Sequence, residues 1–162
     1  MEPLFQLPAR LSKTAQYKSF LERYLPYMEG EDDAIAAMAN TAAALHEAFH
    51  FFWVGFYLVK DAQWLSLGPF QGSPACSRIK RGHGVCGTAW AEARTLIVPD
   101  VNAFPGHIAC SSHSRSEIVV PILNPARKVL GVIDVDSDHL DAFDDHDRQG
   151  LEAVARRIAE NL

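Results

Sequence analysis

The stretch EIVVPILNPARKVLGVIDVDS, residues 117–137, decides the fold class of this chain. It contains two runs rich in β-branched residues, EIVVPIL and VLGVIDVDS, joined by the turn-forming segment NPARK. Runs of this kind favour β-strands, and a short connection containing Asn and Pro favours a tight reversal of the chain. The stretch therefore predicts an antiparallel β-hairpin.

More strands are predicted on the N-terminal side of this hairpin. FFWVGFYLVK is aromatic and β-branched and turns at KDAQ into WLSL, and TLIVPD predicts a further strand. Between WLSL and TLIVPD, the segment RGHGVCGTAWAEA predicts a glycine-rich loop that opens a short helix. Strands therefore occupy the middle of the chain.

Helices are predicted at both ends of the chain. The first is capped by Ser12 or Thr14 and reaches about Tyr27, the second begins at Asp32 or Asp33, and DDHDRQGLEAVARRIAENL predicts the last. Apolar side chains recur at helical spacing in the second and last helices: Ile35, Met38, Ala42, Leu45 and Phe49, then Leu151, Val154, Ala155 and Ile158. Terminal helices around central strands predict one α+β domain over residues 1–162, with helices packed on an antiparallel sheet.

The composition of the chain limits its possible binding partners and its cellular compartment. A formal net charge of −5 argues against nucleic acids and anionic membranes as partners, because both select for basic surfaces. The sequence shows neither a signal-peptide pattern nor an apolar run of about 18 residues, so we expect a cytoplasmic protein. Three cysteines, an odd number in a reducing compartment, suit redox, catalytic or metal-binding roles better than a disulfide framework.

Three acidic residues of the predicted hairpin are expected to share one face of the sheet. Asp134 and Asp136 lie two positions apart in a β-branched strand, so their side chains point the same way. If the closing loop has an even number of residues, with Asn124 opposite Val129, then Glu117 pairs with Asp136 and joins them. An odd loop would place Glu117 on the other face.

Such a carboxylate cluster predicts a binding site for a cationic small molecule. Carboxylates in a strand are costly to bury unless they line a cavity or meet a partner; an ammonium group is a suitable partner, and a carboxyl with a raised pKa can act as a general acid. On the neighbouring strand Trp53 and Tyr57 share a face and are expected to pack on an apolar or sulfur-bearing group. The alternatives are solvated carboxylates on the wet face and aromatic rings that only fill the core.

All three cysteines are predicted in loops, a placement that favours thiol–disulfide chemistry over core filling. A thiolate is stabilised by a helix N-terminus or by neighbouring cations. Cys86 lies at a predicted helix start, Cys110 lies in a loop with two histidines, and Cys76 lies close to Arg78. These arguments leave the three cysteines nearly tied as the nucleophile.

Two metal sites suggested by spacing are weaker hypotheses. Five zinc donors occur at short spacings: His83, Cys86, His107, Cys110 and His113. However, zinc modules usually occur in small domains with poor cores, and this chain has enough apolar residues for a good core. The segment DVDSDHLDAFDD lacks the glycine and glutamate that a calcium-binding loop requires. We expect no bound metal ion, and zinc stays the alternative.

Five ordered motifs show a specific resemblance. WVGFYL, LGPFQGSPAC, GHGVCGTAW, GHIACSSHSRSEIVVPI and LGVIDVDS closely resemble the GAF-domain free methionine-(R)-sulfoxide reductases over essentially the whole chain. The resemblance implies a six-stranded antiparallel sheet flanked by N- and C-terminal helices, usually in a homodimer. It also implies reduction of the R epimer of free methionine sulfoxide, which repairs and protects against oxidative damage. Thioredoxin, and ultimately NADPH, would be the reductant, with no bound cofactor.

The resemblance also assigns roles to the cysteines. Cys110 in HIAC matches the family's catalytic cysteine, Cys76 in PAC matches the resolving cysteine that forms a disulfide with it, and Cys86 in GVCG matches an auxiliary third cysteine. One departure is visible, because the family usually has Asp where this chain has Ser111. Any contribution of that Asp to substrate affinity or thiolate stability is therefore in doubt.

The remaining family positions coincide with the cluster argued from the strands. Glu117, Asp134 and Asp136 match the carboxylates that hold and activate the substrate, and Trp53 matches the aromatic residue that packs against its methyl–sulfur end. Because GAF domains are often ligand sensors without chemistry, a sensor is the second functional hypothesis.

Overall fold

A six-stranded antiparallel sheet forms the centre of the computed structural model, which describes residues 2–162. The strands are β1 (Trp53–Val59), β2 (Trp64–Gln71), β3 (Arg78–Lys80), β4 (Leu96–Val98), β5 (Ser116–Leu123) and β6 (Val129–Ser137), in the spatial order β3-β2-β1-β6-β5-β4. The helices are α1 (Lys13–Tyr27), α2 (Ala34–Phe49), α3 (Gly84–Glu92) and α4 (Asp145–Ala159), with a 3₁₀ turn at Val101–Ala103. The predicted α+β class and six-stranded sheet are confirmed.

Both faces of the sheet are covered. Helices α1, α2 and α4 pack on one face, against strand residues that include Val54, Phe56, Ile133 and Val135. Helix α3 and the long loops cover the other face, where the alternate strand residues Tyr57, Val119 and Val132 are buried. Side chains alternate between the faces of a strand, so the two cores share the same strands. The carboxylates Glu117, Asp134 and Asp136 lie on the face of α3.

The helix starts follow the capping signals of the sequence. Ser12 caps α1 and Asp33 caps α2, each accepting a hydrogen bond from a backbone N–H of the first turn. The apolar residues that recur at helical spacing are also buried or half-buried, with one exception: Ile35 is 70% exposed. Ile35 lies in the first turn of α2, so its helical spacing does not place it in the stripe that faces the sheet.

The register of the β5–β6 hairpin agrees with the prediction. Glu117 lies opposite Asp136 and Val119 lies opposite Asp134. Strand β1 flanks β6 on its other side, where Trp53 lies opposite Asp136. These pairings bring the acidic side chains of the hairpin together with the aromatic side chains of β1.

The turn of this hairpin differs from the predicted one. Leu123, not Asn124, lies opposite Val129, which leaves a loop with an odd number of residues. Asn124 closes the loop, donating its N–H to the carbonyl of Lys128 (2.9 Å) and accepting the N–H of Lys128 at its side-chain oxygen (2.9 Å). A β-bulge at Leu130 adds one residue to β6 and restores the predicted register.

Strand β3 was not predicted from the sequence. It has only three residues, two of which, Arg78 and Lys80, are charged and exposed, and it pairs with the start of β2. With a single apolar residue between two charged ones, the segment gives no strand signal, whereas the equally short β4 is entirely apolar. Among residues 2–162, no helix is long and apolar enough to cross a bilayer.

Candidate active site

A cavity lies on the sheet face that carries α3. Its floor is made by β1, β5 and β6, one wall by the N-terminus of α3, and the rim by the loops before β3 and before β5. The floor carries the three carboxylates, and the rim carries Cys110. The structure therefore brings together residues that the sequence places up to 84 positions apart, from Phe52 to Asp136.

Two of the three carboxylates, Glu117 and Asp134, are buried and Asp136 is half-buried, and none is paired with a cation of residues 2–162. Glu117 is 5% exposed and Asp134 is 7% exposed, and among residues 2–162 no Lys, Arg or His forms an ion pair with either of them or with Asp136. Burial, followed by the negative charge of Asp134, raises the pKa of both Glu117 and Asp136, and burial raises the pKa of Asp134. The site is therefore prepared for a positive charge that the described chain does not supply.

The hydrogen bonds of the cluster are incomplete. Ser114 donates its hydroxyl to Oδ1 of Asp136 at 3.1 Å, a contact not expected from the sequence. Oδ1 of Asp134 is buried and has no hydrogen-bond partner in the described part of the chain. A buried acceptor without a partner is costly, and a ligand that donates a hydrogen bond would remove this cost.

Cys86 lies in the first turn of α3 beside the carboxylates. Its thiol donates to Oε1 of Glu117 across 3.9 Å. Burial raises the pKa of the Cys86 thiol, and the negative charges of Asp134 and Glu117 raise it further. The helix start, which favoured a thiolate in the sequence, is therefore outweighed by surroundings that favour the protonated thiol.

Cys76 and Cys110 form a disulfide, with their Cα atoms 5.4 Å apart. The bond joins the loop before β3 to the loop before β5, across 34 positions of sequence. Cys110 lines the cavity, whereas Cys76 does not. The two partners are therefore not equivalent: only Cys110 faces the space next to the carboxylates.

Two aromatic rings form an apolar wall of the cavity. The rings of Trp53 and Tyr57 are 6.1 Å apart and nearly parallel. Their polar groups are used for structure, because the indole N–H of Trp53 donates to the carbonyl of Ser73 (3.0 Å) and the hydroxyl of Tyr57 donates to the carbonyl of Cys76 (2.8 Å). Trp53 also stacks on Phe70, with the ring centroids 5.3 Å apart, so both rings are fixed in place and present apolar surface to the cavity. The two hydrogen bonds hold the loop that carries Cys76.

The loop before β5 covers the cavity. Ile108 lies over Gly84 of α3, where a Cβ atom would be 3.2 Å from the Ile108 side chain. His107 also lines the cavity; its Nδ1 is buried and has no hydrogen-bond partner among residues 2–162, and burial lowers the pKa of its imidazole. From the sequence, His107 was expected as a zinc donor or as a neighbour of the Cys110 thiol. The motif GHIAC, which ends in Cys110, was the signal that these residues belong to the site.

The five zinc donors suggested by spacing are not assembled into one site. Cys86, His107 and Cys110 line the cavity, but His83 and His113 do not. The sulfur of Cys110 is engaged in the disulfide. This arrangement does not support the zinc site considered from the sequence.

Comparison with known proteins places this architecture in a family. Residues 33–162 match the GAF domain, so the chain is a GAF-domain protein. It is 53% identical to GAF domain-containing protein A of Dictyostelium discoideum, over 91% of this chain and 92% of that protein. It is 42% identical to the free methionine-R-sulfoxide reductase of Escherichia coli K12, over 94% of this chain and 92% of that protein.

A solved structure agrees with these relatives. The structure of free methionine-R-sulfoxide reductase from Neisseria meningitidis, in complex with its substrate, superposes with a TM-score of 0.90 at 48% identity, over 96% of this chain and 93% of that chain. This chain belongs to the family of GAF-domain free methionine-R-sulfoxide reductases. The resemblance seen in the five sequence motifs is thereby confirmed.

Proposed function

We propose that this protein reduces free L-methionine-(R)-S-oxide to L-methionine. One observation carries the proposal: Cys110 and the carboxylates of Glu117, Asp134 and Asp136 line a single cavity. A thiol that can be oxidised thus stands next to buried groups that can bind an ammonium and supply a proton. Membership in a family of reductases supports the same reaction.

The carboxylates select a free amino acid. The α-ammonium of the substrate is placed between Glu117, Asp134 and Asp136, where it satisfies the unpartnered Oδ1 of Asp134. Methionine sulfoxide inside a peptide has no such ammonium. The substrate carboxylate is bound by backbone N–H groups of the neighbouring loops and of the α3 N-terminus, where Gly84 and Val85 line the cavity.

The sulfoxide end lies against the aromatic wall. Trp53 and Tyr57 line the cavity with aromatic surface that suits a methyl–sulfur group, since sulfur packs favourably against aromatic rings, often at the ring edge. In this orientation the sulfur atom points toward Cys110. The wall and the carboxylates thus fix the two ends of one extended amino acid.

The reaction begins with attack of the Cys110 thiolate on the sulfoxide sulfur. A carboxylic acid of the cluster, Asp136, Asp134 or Glu117, protonates the departing oxygen directly or through water; their raised pKa values favour the protonated form that this step requires. The sulfoxide gains two electrons and leaves as methionine. The thiol loses two electrons and becomes a sulfenic acid that carries the oxygen.

Cys76 then resolves the sulfenic acid. Its thiol attacks the sulfur of Cys110, water leaves, and the Cys76–Cys110 disulfide forms, which is the bond present in the structure. Thioredoxin, reduced ultimately by NADPH, restores both thiols by exchange, and no bound cofactor is needed. Cys86 is an auxiliary thiol. We further propose that residues 1–162 act as one domain in a cytoplasmic homodimer.

A coupled assay tests the proposal. Thioredoxin, its reductase and NADPH are combined with the protein and with each epimer of methionine sulfoxide, free and N-acetylated. We expect NADPH oxidation with the free R epimer alone and none with the Cys110→Ser variant. Binding of the free R epimer by the wild type without turnover would overturn the reductase and favour a ligand sensor.

A further inference from the structure

A second binding capacity is present on the cavity floor. One sulfur atom of Cys86 and one carboxylate oxygen each of Glu117 and Asp134 lie within 4.8 Å of one another, and all three residues are buried. The contact between Cys86 Sγ and Glu117 Oε1 measures 3.9 Å. Tetrahedral zinc, with bonds of about 2.3 Å to sulfur and about 2.0–2.2 Å to oxygen, needs ligands roughly 3.5 Å apart. Small side-chain rotations close the difference.

The unpartnered oxygen of Asp134 is an independent sign that this floor takes a ligand. Oδ1 of Asp134 is buried in the cavity floor and accepts no hydrogen bond from any group of residues 2–162. A purely structural acidic cluster would satisfy such an atom with a backbone N–H, as Asp144 does at the start of α4, where it accepts from His146 and Asp147. The open coordination capacity of Asp134 can be met by an ammonium or by a metal ion.

We propose that Cys86, Glu117 and Asp134 form a binding site for Zn²⁺, which occupies the cavity floor and excludes the amino-acid substrate. The sulfur ligand gives the site its selectivity: thiolate suits zinc, whereas Mg²⁺ and Ca²⁺ prefer sites made of oxygen alone. Binding converts the Cys86 thiol into a thiolate, and its proton leaves to solvent. Three protein ligands leave a fourth position facing the cavity.

The proposed zinc site uses the one cysteine that does not belong to the disulfide. Cys86 is the free thiol in the structure, because Cys76 and Cys110 are joined. The zinc ligands therefore stay available in the oxidised protein. Zinc binding requires only the side chains of Cys86, Glu117 and Asp134. Inhibition by zinc rests on the proposed reductase function, because the same carboxylates hold the ammonium group of the substrate.

The binding test uses the oxidised, metal-free protein and Zn²⁺ in equilibrium dialysis and calorimetry. We expect one tightly bound Zn²⁺ per chain and no comparable binding of Mg²⁺ or Ca²⁺. Loss of an outer-shell partner weakens metal sites about 10–100-fold, so loss of a direct ligand in Cys86→Ser or Asp134→Asn should weaken binding by more than about 100-fold. Co²⁺ should give a thiolate charge-transfer band that Cys86→Ser lacks.

His83→Ala and His113→Ala are the matched controls, because these histidines were zinc donors by spacing but lie outside the cavity. Zinc binding should be unchanged in both. Absence of stoichiometric zinc, or zinc that survives Cys86→Ser and is lost in a histidine variant, contradicts the site. Circular dichroism and thermal melting establish that each variant folds. If Cys86→Ser does not fold, Asp134→Asn takes its place in the binding test.

Inhibition is measured separately, in single turnovers of pre-reduced protein with free methionine-(R)-sulfoxide. Methionine formation should fall with added Zn²⁺ and recover with chelator, and Cys86→Ser should lose most of this sensitivity relative to its own metal-free rate. Zinc binding without any metal-free reduction would overturn the proposed function and leave the metal site standing. Full activity at zinc concentrations that saturate the site would overturn the inhibition.

Discussion

Glu117 on β5 and Asp136 on β6 lie directly opposite each other, two carboxyl groups on the buried face of one hairpin. Like charges in this relationship destabilise a sheet. If stability were the only requirement, an apolar pair or an oppositely charged pair would be expected at positions 117 and 136. The pair therefore indicates that part of the stability of the protein is given up for ligand binding.

The first prediction concerns stability and its dependence on pH. Burial raises the folded-state pKa of Glu117, so its contribution to stability is fully present below the unfolded-state pKa of about 4 and is lost as the pH rises through the folded-state pKa. Glu117→Gln removes this loss. We expect the variant to be about 1 kcal/mol more stable at pH 7.5 and equal to wild type at pH 4, as measured by urea unfolding.

Asp138→Asn is the matched control for Glu117→Gln, since Asp138 is an exposed acid that follows the same hairpin. It should show no such pH-dependent gain. The same Glu117→Gln variant should bind free methionine at least about tenfold more weakly, because a charge-assisted hydrogen bond contributes about 1.5–3 kcal/mol. A variant that is less stable than wild type at pH 7.5 would refute the assignment.

The second prediction concerns protons released on ligand binding. Burial raises the pKa of Glu117, Asp134 and Asp136, so the free site holds protons that an arriving ammonium displaces. Affinity for free methionine, the unreactive product, should therefore increase with pH. Calorimetry at pH 6.5 in two buffers of different ionisation enthalpy should report net proton release. Identical heats in both buffers would contradict the prediction.

The third prediction separates the two steps of the reaction. The hydroxyl of Tyr57 donates to the carbonyl of Cys76, so Tyr57→Phe keeps the aromatic wall and frees the loop that carries Cys76. We expect methionine to form at an unchanged rate in a single turnover, whereas disulfide formation slows. Trapping with a sulfenic-acid reagent should then yield more labelled Cys110 than in wild type. Tyr27→Phe, at an exposed tyrosine, should leave both steps unaltered.

The fourth prediction concerns the packing of α3 on the sheet. A Cβ atom at Gly87 would clash with the backbone oxygen of Lys80, and a backbone atom cannot move aside as a side chain can. Gly87→Ala should therefore cost about 1–3 kcal/mol of stability and displace the helix that carries Cys86. Thr88→Ala, the next residue of α3, is the control for helix propensity. Equal melting temperatures for the two variants would show that α3 adjusts freely.

Local signals in the sequence account for most of the fold. Ser12 and Asp33 mark helix starts because a capping side chain acts on its own first turn, and the hairpin register follows from alternation along β5 and β6. Strand β3 was not predicted because its sequence, RIK, has one apolar residue between two charged ones, whereas the equally short β4 is wholly apolar. Prediction from short segments of sequence therefore finds elements with a strong local signal and misses those without one.

The surroundings of Cys86 show why the site was harder to predict than the fold. Its helix start is local and favours a thiolate, but Glu117 and Asp134 come from strands at least 31 positions later and reverse that preference. Likewise, local arguments left all three cysteines nearly tied as the nucleophile, and only the family resemblance assigned this role to Cys110. The cavity adds that Cys110, not Cys76, faces the carboxylates. Groups that meet through tertiary structure set these pKa values and orientations.

The bulge at Leu130 affects how the hairpin tolerates insertions and deletions. Val129 and Val132 belong to the same buried cluster although an odd number of positions separates them, because Leu130 is the extra residue. Deleting Leu130 would join Val129 to Gly131 in plain alternation and leave Glu117 opposite Asp136. A change of one residue in the turn can thus be compensated by gain or loss of the bulge. The pairing of Glu117 with Asp136, at the other end of the hairpin, stays the same when the turn gains or loses a residue in this way.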